Sequence, residues 1–240
     1  TNIATPEELI EPPELNLEKQ SMKEALEKFL PEDSTTTALP NLDGVDKEMA
    51  FSPIDLNDDG QLEMIAFYKD KNTKLMGMLI LSNKRDKWEK ISDIKLNSFD
   101  ILQFKVLDLD NDKNKEIVLG TYSDESISYG KKLTILSFKD NKVTSILEMP
   151  YAGMALGDLD KDASYEIAIL YQNEEMIENR LRMMRVSGNK VSRIDEKIFP
   201  QGVDPYSIAI GNIYDDEEVI FVDSFSGIYE GRTDIFFFKD

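Results

Sequence analysis

The stretch Asp55-Leu-Asn-Asp-Asp-Gly-Gln-Leu-Glu63 is the first copy of an internal repeat, because the sequence repeats its pattern of acids twice more. The second copy is residues 108–116 (DLDNDKNKE) and the third is residues 158–166 (DLDKDASYE), so successive copies start 53 and 50 residues apart. A degenerate fourth copy, NIYDD, starts at Asn212, 54 residues after the third. A fixed period near 50 residues predicts a repeat architecture.

Each copy places oxygen-bearing side chains at positions 1, 3, 5 and 9, a pattern that suits a hard cation. Calcium takes six to eight oxygen ligands at about 2.3–2.6 Å, and alternate residues of a tight turn can point several oxygens inward. A backbone carbonyl at position 7 completes each predicted set. The predicted metal ligands are Asp55, Asn57, Asp59, Gln61 and Glu63 in the first copy, Asp108, Asp110, Asp112, Asn114 and Glu116 in the second, and Asp158, Asp160, Asp162, Ser164 and Glu166 in the third.

The EF-hand also opens with D-x-D-x-D-G, but it needs a bidentate Glu at position 12 and a helix on each side. Position 12 is apolar here, namely Ala66, Leu119 and Ile169. Each loop is followed by a short apolar run rich in β-branched and aromatic residues, which is typical of a buried strand. The repeat is therefore predicted to be strand, calcium loop, strand.

The plain alternative is a polar hairpin turn, because Asp, Asn and Gly form turns without any metal. Three copies with acids at positions 1, 5 and 9 favour metal binding over that alternative. Position 6 is Gly only in the first copy, and Lys113 and Ala163 replace it at a cost of about 1 kcal/mol if φ is positive there. The fourth copy, with Asn212, Tyr214 and Asp216, is predicted to have lost its ion. We expect two to three structural calcium ions.

The repeat resembles the FG-GAP/VCBS repeats of integrin-α-type β-propellers, over roughly residues 18–240. It resembles more closely the FG-GAP-like lipoproteins of Firmicutes, in which a helix ending in Leu-Pro precedes the repeats, as Phe29-Leu-Pro31 precedes Ile54-Asp-Leu-Asn57 here. The resemblance implies an FG-GAP-type β-propeller, calcium sites, and a removed signal peptide with an upstream lipidated Cys. It therefore implies an extracytoplasmic protein that is lipid-anchored to the outer face of a bacterial cell membrane.

Composition narrows the function classes. The net charge of −19 argues against nucleic acid and anionic membrane surfaces as partners. The chain contains no His and no Cys, which excludes Ser-His-Asp triads, Cys-His pairs and His-ligated zinc. The sequence contains no apolar run of about 20 residues, so no transmembrane helix is predicted.

Along the chain, we predict an N-terminal unit at 1–46 and β-propeller blades at 47–240. The first unit comprises a Pro- and Glu-rich tether (1–15), one amphipathic helix near 17–30 and a linker. The predicted strands are 49–56, 63–69, 74–82 and 88–96; 102–109, 116–123, 131–139 and 142–148; 153–159, 166–172, 179–187 and 190–199; and 206–213, 217–223 and 233–239.

Four strands per period predict an all-β propeller of about four blades, with one N-terminal amphipathic helix. The fourth blade lacks an outer strand. Either residues 35–39 supply it and close a small propeller, or the blades are part of a larger one.

The favoured functional hypothesis is a non-enzymatic, calcium-binding adhesion or binding module at the cell surface, with a surface protein or glycan as ligand. Calcium would be structural, because its ligands lie inside hairpins. Loops 123–130 and 224–232 carry aromatic residues with Ser and Gly, which suits adaptable recognition. The alternative is a hydrolase that acts on polysaccharide or cell wall through paired carboxylates. No catalytic residue and no organic cofactor are predicted.

Overall fold

The apolar run after each acidic loop forms a buried β-strand in a computed structural model of the chain. The structure describes residues 13–37, 51–85, 87–122, 130–173, 178–213, 217–227 and 230–238, apart from the side chains of residues 13–18 and 173. The elements are helix α1 (Pro13–Phe29) and strands β1 (Ser34–Thr36), β2 (Phe51–Ile54), β3 (Glu63–Asp70), β4 (Met76–Lys84), β5 (Lys87–Lys95), β6 (Asp100–Leu107), β7 (Glu116–Tyr122), β8 (Lys131–Lys139), β9 (Lys142–Pro150), β10 (Gly153–Gly157), β11 (Glu166–Asn173), β12 (Glu178–Ser187), β13 (Lys190–Ile198), β14 (Val203–Asn212), β15 (Glu218–Ser226) and β16 (Glu230–Phe236).

These strands form four antiparallel sheets, which follow one another in chain order. The second and third sheets have the orders β6-β7-β8-β9 and β10-β11-β12-β13, and the fourth has β14-β15-β16. In the first sheet, β1 and β2 share one edge of β3, and β4 and β5 follow on the other side. The predicted all-β class and the N-terminal helix are confirmed.

The sheets pack on one another because side chains alternate between the two faces of each strand. Ile65 and Phe67 of β3 join the core shared with the second sheet, whereas Met64 and Ala66 join the core beneath α1. The same alternation separates Ile117 from Val118 in β7 and gives the second and third sheets a common core. A fourth core lies between the third and fourth sheets.

Helix α1 covers the free face of the first sheet. Met22, Ala25 and Leu26 recur at helical spacing, are at most 6% exposed, and pack against the outward residues of β3 and β4. The Trp88 indole donates a hydrogen bond to the Ser21 hydroxyl at 3.0 Å and ties the helix to β5. The predicted apolar stripe is therefore an intramolecular packing face.

The four sheets do not close into a propeller. Among the described residues, no hydrophobic core joins the first sheet to the fourth, so the array is open. The expectation that residues 35–39 complete the fourth blade is wrong, because β1 pairs with β3 of the first sheet, with Thr35 opposite Lys69. Residues 38 and 39 lie outside the described residues. The division at 46/47 stays a prediction.

No helix in the described ranges combines the length and the apolar character that crossing a membrane requires.

Candidate metal centre

The three acidic segments occupy equivalent places in the fold. Loop 1 (55–63), loop 2 (108–116) and loop 3 (158–166) each connect the first and second of four consecutive antiparallel strands, β2–β5, β6–β9 and β10–β13. The register is also equivalent at the loop base, where Ile54 faces Glu63, Leu107 faces Glu116 and Gly157 faces Glu166. The sequence repeat is therefore a structural repeat.

Each loop turns through two residues with left-handed backbone. Position 6 has positive φ in all three copies, with values of 79° at Gly60, 75° at Lys113 and 70° at Ala163. The strain expected at Lys113 and Ala163 is therefore present, because non-glycine residues pay a steric cost there. Position 4 is left-handed as well, at Asp58, Asn111 and Lys161. That second left-handed residue was not predicted from the sequence, although Asp and Asn, which occupy it in two copies, tolerate this conformation.

The glutamate at position 9 closes each loop from the inside. Its side chain is at most 2% exposed in all three copies. One carboxylate oxygen accepts a hydrogen bond from the backbone N–H of position 2, at 3.0 Å for Leu56 to Glu63, 3.0 Å for Leu109 to Glu116 and 2.8 Å for Leu159 to Glu166. The leucine at position 2 is buried in the same region. The loop is thus pinned to the sheet by one acid and one apolar side chain.

The aspartate at position 1 organises the outer part of each loop. Its Oδ2 accepts the backbone N–H of position 6, at 2.9 Å from Gly60 to Asp55, 2.8 Å from Lys113 to Asp108 and 3.0 Å from Ala163 to Asp158. The carboxylate at position 5 accepts the N–H of position 7, at 2.8 Å from Gln61, Asn114 and Ser164. These hydrogen bonds orient the carboxylates towards one another.

Two of the loops bring three carboxylates close enough to hold a metal ion. Asp108, Asp110 and Asp112 in loop 2 each place an oxygen within 4.8 Å of the others, and so do Asp158, Asp160 and Glu166 in loop 3. In loop 2 the Oδ1 atom of Asp110 is buried without a hydrogen-bond partner. A buried carboxylate oxygen without a donor is costly unless a cation meets it, so this donor set fits a hard divalent ion.

Loop 1 differs because Asn57 replaces the aspartate at position 3. Its Nδ2 donates to Asp59 Oδ2 at 3.1 Å, so the amide and the carboxylate are paired directly. The predicted carbonyl ligands Gln61, Asn114 and Ser164 lie at position 7 of their loops, and their assignment as ligands stays a prediction. The same holds for the full fifteen-residue ligand set.

Burial raises the pKa of the closing glutamates. For Glu116, removal from water raises the pKa to about 7, and the charges of Asp110, Asp112 and Asp108 add to the rise. Burial also raises the pKa of Glu63 and Glu166, against the hydrogen bonds that their carboxylates accept. A bound cation would offset this cost, because it favours the ionised form of each acid.

Neighbouring loops are bonded to one another. The backbone N–H of position 8 in one loop donates to the carbonyl of position 2 in the preceding loop, at 2.8 Å for Lys115 to Leu56 and for Tyr165 to Leu109. The Lys115 ammonium also reaches the Asp55 carbonyl at 2.7 Å. The loops therefore form one ladder along an edge of the stacked sheets.

The fourth copy lacks the closing glutamate. Gly211 faces Val219 at the register position where Gly157 faces Glu166 in the third sheet, and Val219 is fully buried. An apolar side chain therefore occupies the place of the acid. Of the residues singled out in this copy, Asn212 ends β14, whereas Tyr214 and Asp216 lie outside the described residues.

Comparison with known proteins gives limited matches. No family model matches the chain, and no curated protein matches it. Two solved structures each match over 74% of this chain: a rhamnogalacturonan lyase, PL11, of Bacillus licheniformis, with 18% identity and a TM-score of 0.44, and the exotype rhamnogalacturonan lyase YesX, with 16% identity and a TM-score of 0.44. The chain spans 39% and 38% of the length of those two proteins.

These matches correct the functional expectation. The sequence predicts a non-enzymatic module and no enzyme, whereas both matched structures are titled as lyases. The non-enzymatic prediction is therefore withdrawn. At these identities and TM-scores, the lyases' titles assign no activity to this chain. Neither of these two structures is titled as an FG-GAP protein or a lipoprotein.

We expect the cation-free protein to gain stability as the pH falls from about 7 towards 4.5. In this window the folded chain holds a proton on Glu116 that the unfolded chain releases, so the free energy of unfolding rises as pH falls. A pKa raised from 4.5 to about 7 corresponds to about 3 kcal/mol. Urea unfolding in EDTA at the two ends of the window measures the difference.

Glu116→Gln should shrink this difference, because glutamine does not titrate. Glu148→Gln is the matched control, since Glu148 lies on the same sheet with a side chain that is 53% exposed. An equal pH dependence in wild type and Glu116→Gln would contradict the assignment.

Proposed function

We propose that this chain is a calcium-binding, FG-GAP-like repeat module of a polysaccharide-directed enzyme. Calcium binding is supported by the common structure of the loops. A buried glutamate, a hydrogen-bonded first aspartate and converging carboxylates recur at one place in successive sheets. Oxygen-only donors of this kind suit calcium over zinc or copper.

The loop residues hold the ion and position one another. Asp108, Asp110 and Asp112 would supply side-chain oxygens in loop 2, and the buried Glu116 would hold the loop base in its ionised form. A bound calcium ion supplies positive charge that neutralises the clustered acids. The proposed role is structural, because backbone hydrogen bonds join each loop to its neighbour between successive sheets.

An exposed aromatic pair supports the polysaccharide part. Tyr206 and Phe225 are 54% and 50% exposed on the fourth sheet, and their rings stack with centroids 4.6 Å apart. Exposed rings beside polar groups such as Asp204 suit a ligand that has apolar C–H faces and hydroxyl edges. The lyases named above provide the substrate class to test first.

The cellular location and the partners of the protein are also proposed. We propose an extracytoplasmic protein, held to the outer face of a bacterial membrane through a lipid anchor, with a glycan or surface protein as its partner. This part rests on the FG-GAP-like lipoprotein resemblance and on the high negative charge, which disfavours nucleic acid. Residues 123–129 and 228–229, which contain much of the predicted recognition loops, lie outside the described residues.

We expect calcium to stabilise the protein markedly. If each site has a dissociation constant near 1 mM, 10 mM calcium adds about 1.4 kcal/mol per site, and each kcal/mol raises the melting temperature by about 2–4 °C. Thermal melts in EDTA and across a calcium titration measure the shift. Asp110→Ala should remove the contribution of loop 2, and comparing its melts with and without calcium cancels its own effect on folding.

Magnesium at equal concentration is the control for nonspecific screening, because it dehydrates reluctantly and prefers a smaller site. A melting temperature that calcium leaves unchanged would contradict the calcium proposal.

The polysaccharide part predicts cleavage of rhamnogalacturonan by the full-length protein that contains this chain. Ultraviolet absorbance of an unsaturated product detects elimination, and new reducing ends without that absorbance indicate hydrolysis. Tyr206→Ala should raise the KM for the polymer more than it lowers kcat if the aromatic pair binds substrate. If neither product forms from rhamnogalacturonan or from other acidic polysaccharides, that result would contradict an enzymatic role.

A further inference from the structure

Loop 3 differs from the other two loops in the residue that faces its closing glutamate. The third strand of each sheet places one residue opposite this acid. That residue is Ser82 opposite Glu63 and Ser137 opposite Glu116, but it is Arg185 opposite Glu166. The position is structurally equivalent in the three sheets, so the exchange of serine for arginine is a local change in an otherwise repeated site.

The Arg185 guanidinium lies within the acids of loop 3. Its Nε donates to Glu166 Oε1 at 2.8 Å, and its Nη2 donates to the same oxygen at 2.5 Å and also to Asp160 Oδ2. Its Nη1 lies 3.6 Å from Asp162 Oδ2. Two of the three contacted acids are buried, since the side chains of Asp160 and Glu166 are 7% and 0% exposed, whereas that of Asp162 is 44% exposed.

Two of those acids belong to the carboxylate cluster of loop 3. Asp160 and Glu166, with Asp158, are the three groups whose oxygens converge within 4.8 Å. The guanidinium remains charged at every accessible pH, and its planar fork matches carboxylate oxygens. A calcium ion in this loop would need the same oxygens and would meet a fixed positive charge beside them.

Loops 1 and 2 have a neutral group at this position. The Ser82 hydroxyl donates to Glu63 Oε1 at 3.1 Å and brings no charge. Apart from Lys115, whose ammonium donates to the Asp55 backbone carbonyl, the cations described near these loops contact aspartates at the rim, with Lys139 Nζ 3.6 Å from Asp112 and Lys113 Nζ 3.7 Å from Asp58. Both lysine side chains are about half exposed or more, at 48% and 76%, so they can move away when an ion binds.

We propose that Arg185 acts as a built-in counter-ion that takes the place of calcium in loop 3, so that loops 1 and 2 bind calcium and loop 3 is closed without it. This inference rests on the proposed calcium function. It assigns the chain two calcium ions and makes the third sheet independent of calcium concentration. The predicted ligands in loop 3 would then be partners of an arginine.

The test is calcium stoichiometry by isothermal titration calorimetry on the full chain and three variants. We expect two ions for wild type and three for Arg185→Ser, which restores the residue found in the other two sheets. Ser137→Arg introduces the arginine into loop 2 and should leave one ion. Arg193→Ser is the matched control, because it removes one positive charge from the third sheet at a side chain 59% exposed, and it should bind two ions.

A thermal melt in EDTA gives a second readout. Arg185→Ser should melt at a lower temperature than wild type, because Glu166 loses its charged partner, and calcium should restore the loss. Three ions on wild type, or no additional ion on Arg185→Ser, would overturn this inference and leave the calcium proposal intact. No binding by any of the four chains would overturn both.

Discussion

The structure depends on one hydrogen bond that recurs three times, from the N–H of a buried leucine to the carboxylate of a buried glutamate seven residues later. The bond crosses the base of each acidic loop and holds the first and second strands of a sheet in register. Burial disfavours the ionised form of a carboxylate, and the raised pKa of Glu116 reflects this free-energy cost. The glutamate gives the loop above it, which collects further acids, a fixed base.

This constraint propagates along the array. Position 8, next to the glutamate, donates its N–H to the preceding loop, so fixing one loop also fixes its neighbour. The sheets beneath follow the same order, with alternate residues of each second strand packing forwards and backwards. Helix α1 covers the first sheet, and the fourth sheet has Val219 where the glutamate would lie. The two ends of the described array therefore differ from its middle: a helix covers the first sheet, and the fourth sheet has no glutamate at the loop base.

Much of this arrangement was predictable, because it is local in the sequence. The loops, the buried second strands and the helix follow from residue spacing within one repeat. Closure of the array was not predictable, since it depends on how one sheet meets another across many residues. The partner of β1 illustrates this point, because three residues of strand pattern cannot indicate which distant edge they join. Arg185 was missed for a related reason: its alternation looks like that of any exposed strand, and only the register of β11 with β12 places it beside Glu166.

The three loops show how one scaffold can satisfy the same buried acid in different ways. Glu63 accepts a hydrogen bond from a serine hydroxyl and Glu166 accepts one from a guanidinium, whereas the pKa of Glu116 is raised to about 7. A calcium ion would favour the ionised form of the acid. In this account, the metal strengthens a loop that the protein has already closed.

The most direct measurement is amide hydrogen exchange at Leu56, Leu109 and Leu159 in EDTA. If the buried glutamates hold the loops before any ion binds, these three amides will exchange only through global unfolding, as slowly as the amides of β3 and β7. Exchange as fast as that of an unbonded surface turn would show that the glutamates do not close the loops and would contradict the account.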